Sequence, residues 1–170
     1  MPTILAAFFE FSIVVRETSF GSGGLVLAGI AWGRKGNRLI AVGRVLIAIA
    51  AIVFGVQHFR HPLGVPGVPL QKQMPAWIPA RSVIDYLTGA FLIVGGVCFL
   101  LNRKTRVAAA YLGTWILLLV LGYYGPMLIG ALADPSTATK LEGLNYFADT
   151  LLFGATILSL ADAGRTGVGP

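Results

Sequence analysis

Charged side chains are scarce in this chain: 12% of its 170 residues are Asp, Glu, Lys or Arg, against about 25% in a soluble domain. That leaves too little polar surface to coat a globule in water. Cysteine is scarcer still. The single Cys98 lies inside an apolar run, and one thiol excludes an internal disulfide, a dithiol redox pair and a cysteine-based zinc site. The only two histidines, His58 and His61, share one segment, which argues against bis-histidine haem ligation across helices. No cluster of acids and histidines has metal-ligand spacing, so no metal site is expected.

What remains is apolar. Hydrophobic residues make up 56% of the chain and the mean hydropathy is +0.79. Such a chain is expected to have the lipid bilayer as its solvent, where apolar side chains face outward without cost. Its length leaves room for about four or five helical spans in one domain. The formal net charge of +6 would suggest nucleic acid in a soluble protein. Here the basic residues sit in short clusters beside apolar runs (Arg34, Lys35 and Arg38, then Arg103, Lys104 and Arg106), as topology signals do. No extended basic face exists, so no nucleic-acid partner is expected.

Four runs reach the length of about 20 residues that a spanning helix needs: residues 39–59, 83–101, 107–128 and 141–161. Short connections between the last three imply antiparallel neighbours. The expectation is an all-α, polytopic transmembrane four-helix bundle over residues 34–161, followed by a tail at 162–170. The long connection, residues 60–82, holds Pro62, Pro66, Pro69, Pro75 and Pro79 and cannot be continuous helix. Trp77 and Ile78 suggest that part of it folds back onto the membrane interface. Gly125-Pro126 should kink or end the third span by removing an amide donor. Ala51-xxx-Gly55 and Ala109-xxx-Gly113 are small-residue pairs that let helices approach closely.

Residues 1–33 are ambiguous. An apolar run from Ile4 to Val15 is broken by Glu10, Arg16 and Glu17 intervene, and a glycine-rich apolar run follows to Trp32. The segment lacks the basic start and cleavage site of a signal peptide. It reads either as an additional N-terminal spanning helix or as an interfacial helix before a short span. Glu17-Thr18 and a later Gly33-Arg34 echo Asp149-Thr150 and Gly164-Arg165, which favours the spanning helix. Seven basic residues fall on the side of the turns near residues 34–38 and 103–106, and four on the other. The positive-inside rule then puts the basic turns in the cytoplasm and the proline-rich loop outside.

Two charges, Arg44 and Asp149, lie away from the ends of the four spans. Arg44 sits early in the first, where it is expected to snorkel toward the interface or to pair with an acid. Asp149 sits near the middle of the last, where it needs a cation such as Arg44, a tyrosine hydroxyl or a polar cavity. At the outer end, Gln57, His58, Arg60 and His61 meet Arg81, Asp85 and Tyr86 across the long loop. Of these, His58, Arg60, Asp85 and Tyr86 form the candidate polar site, able to hydrogen-bond a quinone headgroup; otherwise they anchor the interface. Trp77, Tyr86, Tyr123, Tyr124 and Tyr146 lie near span ends, as in aromatic belts.

Gly55-Val-Gln-His-Phe59, Met74-Pro-Ala-Trp-Ile-Pro79, Tyr86-Leu-Thr-Gly89, the basic turn Arg103-Lys-Thr-Arg106 and Arg44 together resemble the DoxX-like family over about residues 39–161. The resemblance implies a small four-helix protein of the bacterial inner membrane, linked to membrane-associated oxidoreductases and, in some members, to quinone reduction. An acid that the family often carries shortly after the glycine of its second helix is absent here, where Ala90, Phe91 and Leu92 follow Gly89. No self-sufficient redox centre or evident cofactor is present in the sequence. The leading expectation is therefore a non-catalytic accessory or anchoring subunit for a redox partner. A quinone-reactive subunit is the alternative, and a small transporter ranks third. A homo-oligomer is compatible with each.

Overall fold

The computed structural model describes residues 2–63 and 74–163, with side chains from residue 13 onward. Residues 64–73, which carry Pro66, Pro69 and Lys72 of the predicted loop, and residues 164–170, which carry Arg165, lie outside the described residues. Among the described residues the chain is helix and turn, with no strand. The helices are α1 (Pro2–Ala31), α2 (Asn37–Arg60), α3 (Arg81–Leu100), α4 (Thr105–Leu119), α5 (Gly125–Ala133) and α6 (Thr137–Ala163). A single π-turn, Val120–Tyr124, joins α4 to α5. Five stretches are long and apolar enough to cross a membrane, the first being Ile13–Ala31 within α1. The ambiguous N-terminal segment is thus a fifth long helix. Three turns, at residues 32–36, 101–104 and 134–136, and the longer loop alternate its direction, giving an all-α up-and-down bundle.

Lipid removes the solvent contrast that drives helices together in water, so association rests on close packing and interhelical polar contacts. Glycines supply the closeness. The α1–α2 hairpin closes where Gly36 meets Gly29; a Cβ on Gly36 would lie 2.0 Å from the Gly29 carbonyl oxygen. The α2–α3 pair is the most extensive contact in the bundle. There Gly55 and Gly89 face each other so tightly that a Cβ on either would come within 3.0 Å of the other's carbonyl oxygen. Between these seams Ile47, Phe54, Leu92, Phe99, Ile116, Phe153 and Ile157 are all buried. Phe54 meets Phe153 edge to face at 5.6 Å.

Helix α3 ends in a Schellman motif, with the Asn102 amide bonded to the Phe99 carbonyl and the Arg103 amide to the Cys98 carbonyl. Asn102 takes the left-handed conformation that the motif requires, at φ 51°. The Arg44 side chain reaches from α2 to this same end and donates to the Phe99 carbonyl oxygen. A cation at the carbonyl end of a helix is favoured by the helix dipole. Arg44 therefore reaches toward the end of the bundle, as expected, but finishes on backbone rather than on an acid.

Pro126 disrupts the fourth span as its chemistry requires. It has no N–H to give to the carbonyl one turn back. The Gly125 amide bonds instead to the Val120 carbonyl oxygen, five residues earlier, closing the π-turn. Helix α5 then continues with none of its residues buried. At the same end of the bundle, residues 74–80 turn inward. Met74 and Ile78 are buried, the Met74 amide bonds to the Leu63 carbonyl at 2.9 Å, and Arg81 donates to the Met74 carbonyl oxygen at 3.1 Å. The loop does fold back, but into the end of the bundle.

Candidate functional site

The close α2–α3 packing has a chemical product. Gly89 lies one turn beyond Asp85, and a Cβ there would sit 2.9 Å from the His58 Cβ. Only because this space is empty can His58 of α2 and Asp85 of α3 come together. His58 Nδ1 lies 2.6 Å from Asp85 Oδ1, and the two side chains are 2% and 0% exposed. His58 lies in the last turn of α2 and Asp85 near the start of α3; a buried ionisable pair is costly to desolvate, so it persists only when paired well or used. Asp85 Oδ2 is buried and has no hydrogen-bond partner among the described residues. One turn deeper, Thr88 donates to the Ile84 carbonyl and accepts from the Trp115 indole N–H at 3.0 Å.

The two other residues expected here do not join. Arg60 is exposed, and Tyr86 is exposed with its ring against Phe59 at 5.6 Å. Two steps along a helix rotate a side chain by about 200° and one step by about 100°. Arg60 and Tyr86 are thereby turned away from the face that carries His58 and Asp85. His61 is exposed as well, whereas Gln57 is buried beside the couple's helix face.

Tyrosines take the vacated roles. Tyr123, Tyr124 and Tyr146 are all buried, so they form part of the interior and not an aromatic belt. The π-turn inserts an extra residue into the helix and directs the adjacent Tyr123 and Tyr124 into the bundle together, their rings meeting edge to face at 4.8 Å. The Asp85 carboxylate is close enough to act electrostatically on both. Tyr124 hydrogen-bonds the Thr150 side chain, and Thr150 donates to the Tyr146 carbonyl oxygen at 2.8 Å. The Tyr123 hydroxyl is buried without a partner among the described residues. Trp77 of the infolded loop stacks on the Tyr123 ring at 6.5 Å.

Asp149 completes this layer from the other side. Its partner is Arg16 of α1, with Nη1 3.0 Å from Oδ2, and not Arg44. Arg16 also holds Glu17 at 2.8 Å. Counted at 1.5 Å per residue from the turns at the basic end, Asp85, Tyr123, Tyr146, Asp149 and Arg16 all stand at a height of about 20–30 Å. Polar groups from α1, α2, α3, α6 and the π-turn thus occupy one level of an otherwise apolar bundle.

A cavity of about 520 Å³ opens beside this layer. Pro75 and Trp77 from the loop, Pro126 and Met127 from α5, and Glu142 and Tyr146 from α6 line it. Trp77 and Tyr146 are shared between the cavity wall and the polar layer, so the cavity lies one aromatic ring from the Asp85 carboxylate's neighbours. Its size falls in the range of about 300–1,000 Å³ typical of small-molecule sites. Among the described residues no group of three or more His, Cys, Asp or Glu could hold a metal ion. The cavity wall is largely apolar, with polar groups from Thr139, Glu142 and Tyr146; His58, Asp85 and Tyr123 are buried behind it and do not line it. Comparison with protein families, with characterised proteins and with solved structures found no match to this chain.

Proposed function

We propose that this chain is a DoxX-like, quinone-binding membrane subunit of an oxidoreductase whose electron carrier resides on a separate partner chain. The observation that carries the reading is the buried His58–Asp85 couple, 2.6 Å apart; Asp85 Oδ2 and the Tyr123 hydroxyl are both buried without a hydrogen-bond partner among the described residues. Quinone reduction takes up two electrons and two protons. The couple and Tyr123 are suited to hydrogen-bonding the quinone carbonyls and handling those protons. A single cysteine cannot form an internal dithiol, and in this reading the electrons come from the partner. In this reading the protein sits in a bacterial inner membrane with its basic turns in the cytoplasm, and the cavity receives the headgroup from the outer leaflet.

Trp77 lines the cavity, which makes its fluorescence a direct reporter once Trp32 and Trp115 are replaced by phenylalanine. A ubiquinone or menaquinone analogue titrated into the protein in nanodiscs should quench Trp77 saturably, and His58→Leu should weaken binding by about tenfold or more, the worth of a lost buried hydrogen bond. Absence of saturable quenching, or equal affinity in the variant, would refute a quinone site built on the couple.

A further inference from the structure

A second cavity lies on the opposite half of the bundle, in the seam between α3 and α4. Helix α3 packs extensively on α2 and α4 on α6, while the α3–α4 contact is the thinner one. The seam is left as a groove of about 600 Å³, walled by Phe91 on one side and by Tyr111, Thr114, Trp115 and Leu118 on the other, with Arg106 at its mouth. The groove is apolar along its length and cationic at one end. Arg106 is exposed and has no ion pair among the described residues. Its neighbours in the turn, Arg103 and Lys104, add charge of the same sign, and no acid interrupts residues 101–106.

We propose that this groove holds an acyl chain of one anionic phospholipid, with the lipid phosphate paired to Arg106. Length selects the occupant. Arg106 to Leu118 is twelve helical steps, about 18 Å, which matches one leaflet's share of a hydrocarbon core about 30 Å thick. A helix of a second copy would need a seam running the full core. The lining residues instead stop at Leu118, one turn beyond Trp115, on which Phe91 packs at 5.1 Å. Charge selects the headgroup. A guanidinium gives two parallel hydrogen bonds to a phosphate, and a basic cluster beside a helix end is the usual mark of anionic-lipid recognition. Tyr111, largely exposed near the mouth, offers a hydroxyl at the height of the glycerol region. The headgroup end of the site, at Arg106, lies at the start of α4, and the proposal does not depend on the quinone reading.

The test is native mass spectrometry of the protein released from nanodiscs of equimolar phosphatidylglycerol and phosphatidylcholine. One phosphatidylglycerol per chain should be retained in preference to phosphatidylcholine by about fivefold, the order expected for one arginine contact at a membrane surface. Arg106→Ala should remove that preference. Arg103→Ala, which deletes the same charge outside the groove, should keep it. Ala110→Trp, which fills the groove and spares Arg106, should release the lipid altogether, with circular dichroism checking that each variant stays folded. Equal effects of Arg103→Ala and Arg106→Ala would mean diffuse surface attraction, and retention of both lipids alike would mean an ordinary lipid-facing seam. A lipid-free dimer broken by Ala110→Trp would mean a second copy. Each of these overturns the proposal.

Discussion

Replacing His58 by leucine and Asp85 by valine, singly and together, separates what the couple contributes to stability from what it is for. Both side chains are essentially inaccessible, and the couple spans 2.6 Å. His58→Leu leaves a buried carboxylate with neither oxygen bonded, since Oδ2 already has no partner. Removing one member of a buried ion pair costs about 3–5 kcal/mol. Asp85→Val leaves an imidazole nitrogen without its acceptor, a lesser loss of about 1–3 kcal/mol. The double variant strands neither group, and replacing a whole buried pair by apolar side chains is commonly neutral or stabilising. The singles therefore predict a combined loss of about 4–8 kcal/mol, and the double variant should show about 1 kcal/mol or less. Unfolding in mixed micelles at increasing SDS, followed by tryptophan fluorescence and near-ultraviolet circular dichroism, measures all four corners of the cycle. Additive losses, each below about 1 kcal/mol, would show that the couple is hydrated and would refute its description as a desolvated pair. A double variant that is stable yet no longer quenched by a quinone analogue would place the couple's purpose in binding.

The ion pair on the other side of the layer predicts an unequal pair of losses: Arg16→Met should destabilise more than Asp149→Leu, by about 1 kcal/mol or more. After the second substitution Arg16 still holds Glu17 at 2.8 Å, whereas after the first Asp149 has no cation; the same SDS titration reads both. Tyr123→Phe deletes a buried hydroxyl that has no hydrogen-bond partner among the described residues, so it should leave stability unchanged or raise it by up to about 1 kcal/mol while weakening quinone-analogue quenching. Pro126→Ala restores an amide donor and should convert the π-turn towards regular α-helix. The Trp77–Tyr123 stack would then be lost, seen as a shift in Trp77 emission, and an unchanged spectrum would detach the π-turn from the proline.

Hydropathy exposed the bundle because each long apolar run had one reading in lipid. It is less decisive for α1, where Arg16 and Glu17 interrupt the run, although Arg16 is what docks it to Asp149. The partner of Asp149 was misjudged for a related reason. Arg44 looked available, but it is drawn to the carbonyl end of α3, and Arg16 is 133 positions from Asp149 in the chain. His58 and Asp85 were legible as neighbours, since both flank the same loop. That Arg60 and Tyr86 point away follows from helical rotation, which fixes the inward face once one member is known. The tyrosines were the real omission. Tyr123 and Tyr124 sit near a span end in sequence, and only the π-turn created by Pro126 turns both inward.

The spans differ in length. Helix α3 has 20 residues, about 30 Å, equal to the hydrocarbon thickness of an ordinary bilayer. The stretch Thr105–Ala133 has 29, about 43 Å. A bundle with one matched and one long wall meets the bilayer with hydrophobic mismatch on one flank: lipid must thicken beside the long wall, or that wall must lean. The π-turn lets α5 lean without unwinding α4. The infolded loop fills the step above α3, and the cavity forms under the leaning α5. A cavity walled by the loop, α5 and α6 at this end of the bundle would be within reach of a hydrophobic molecule already dissolved in the bilayer.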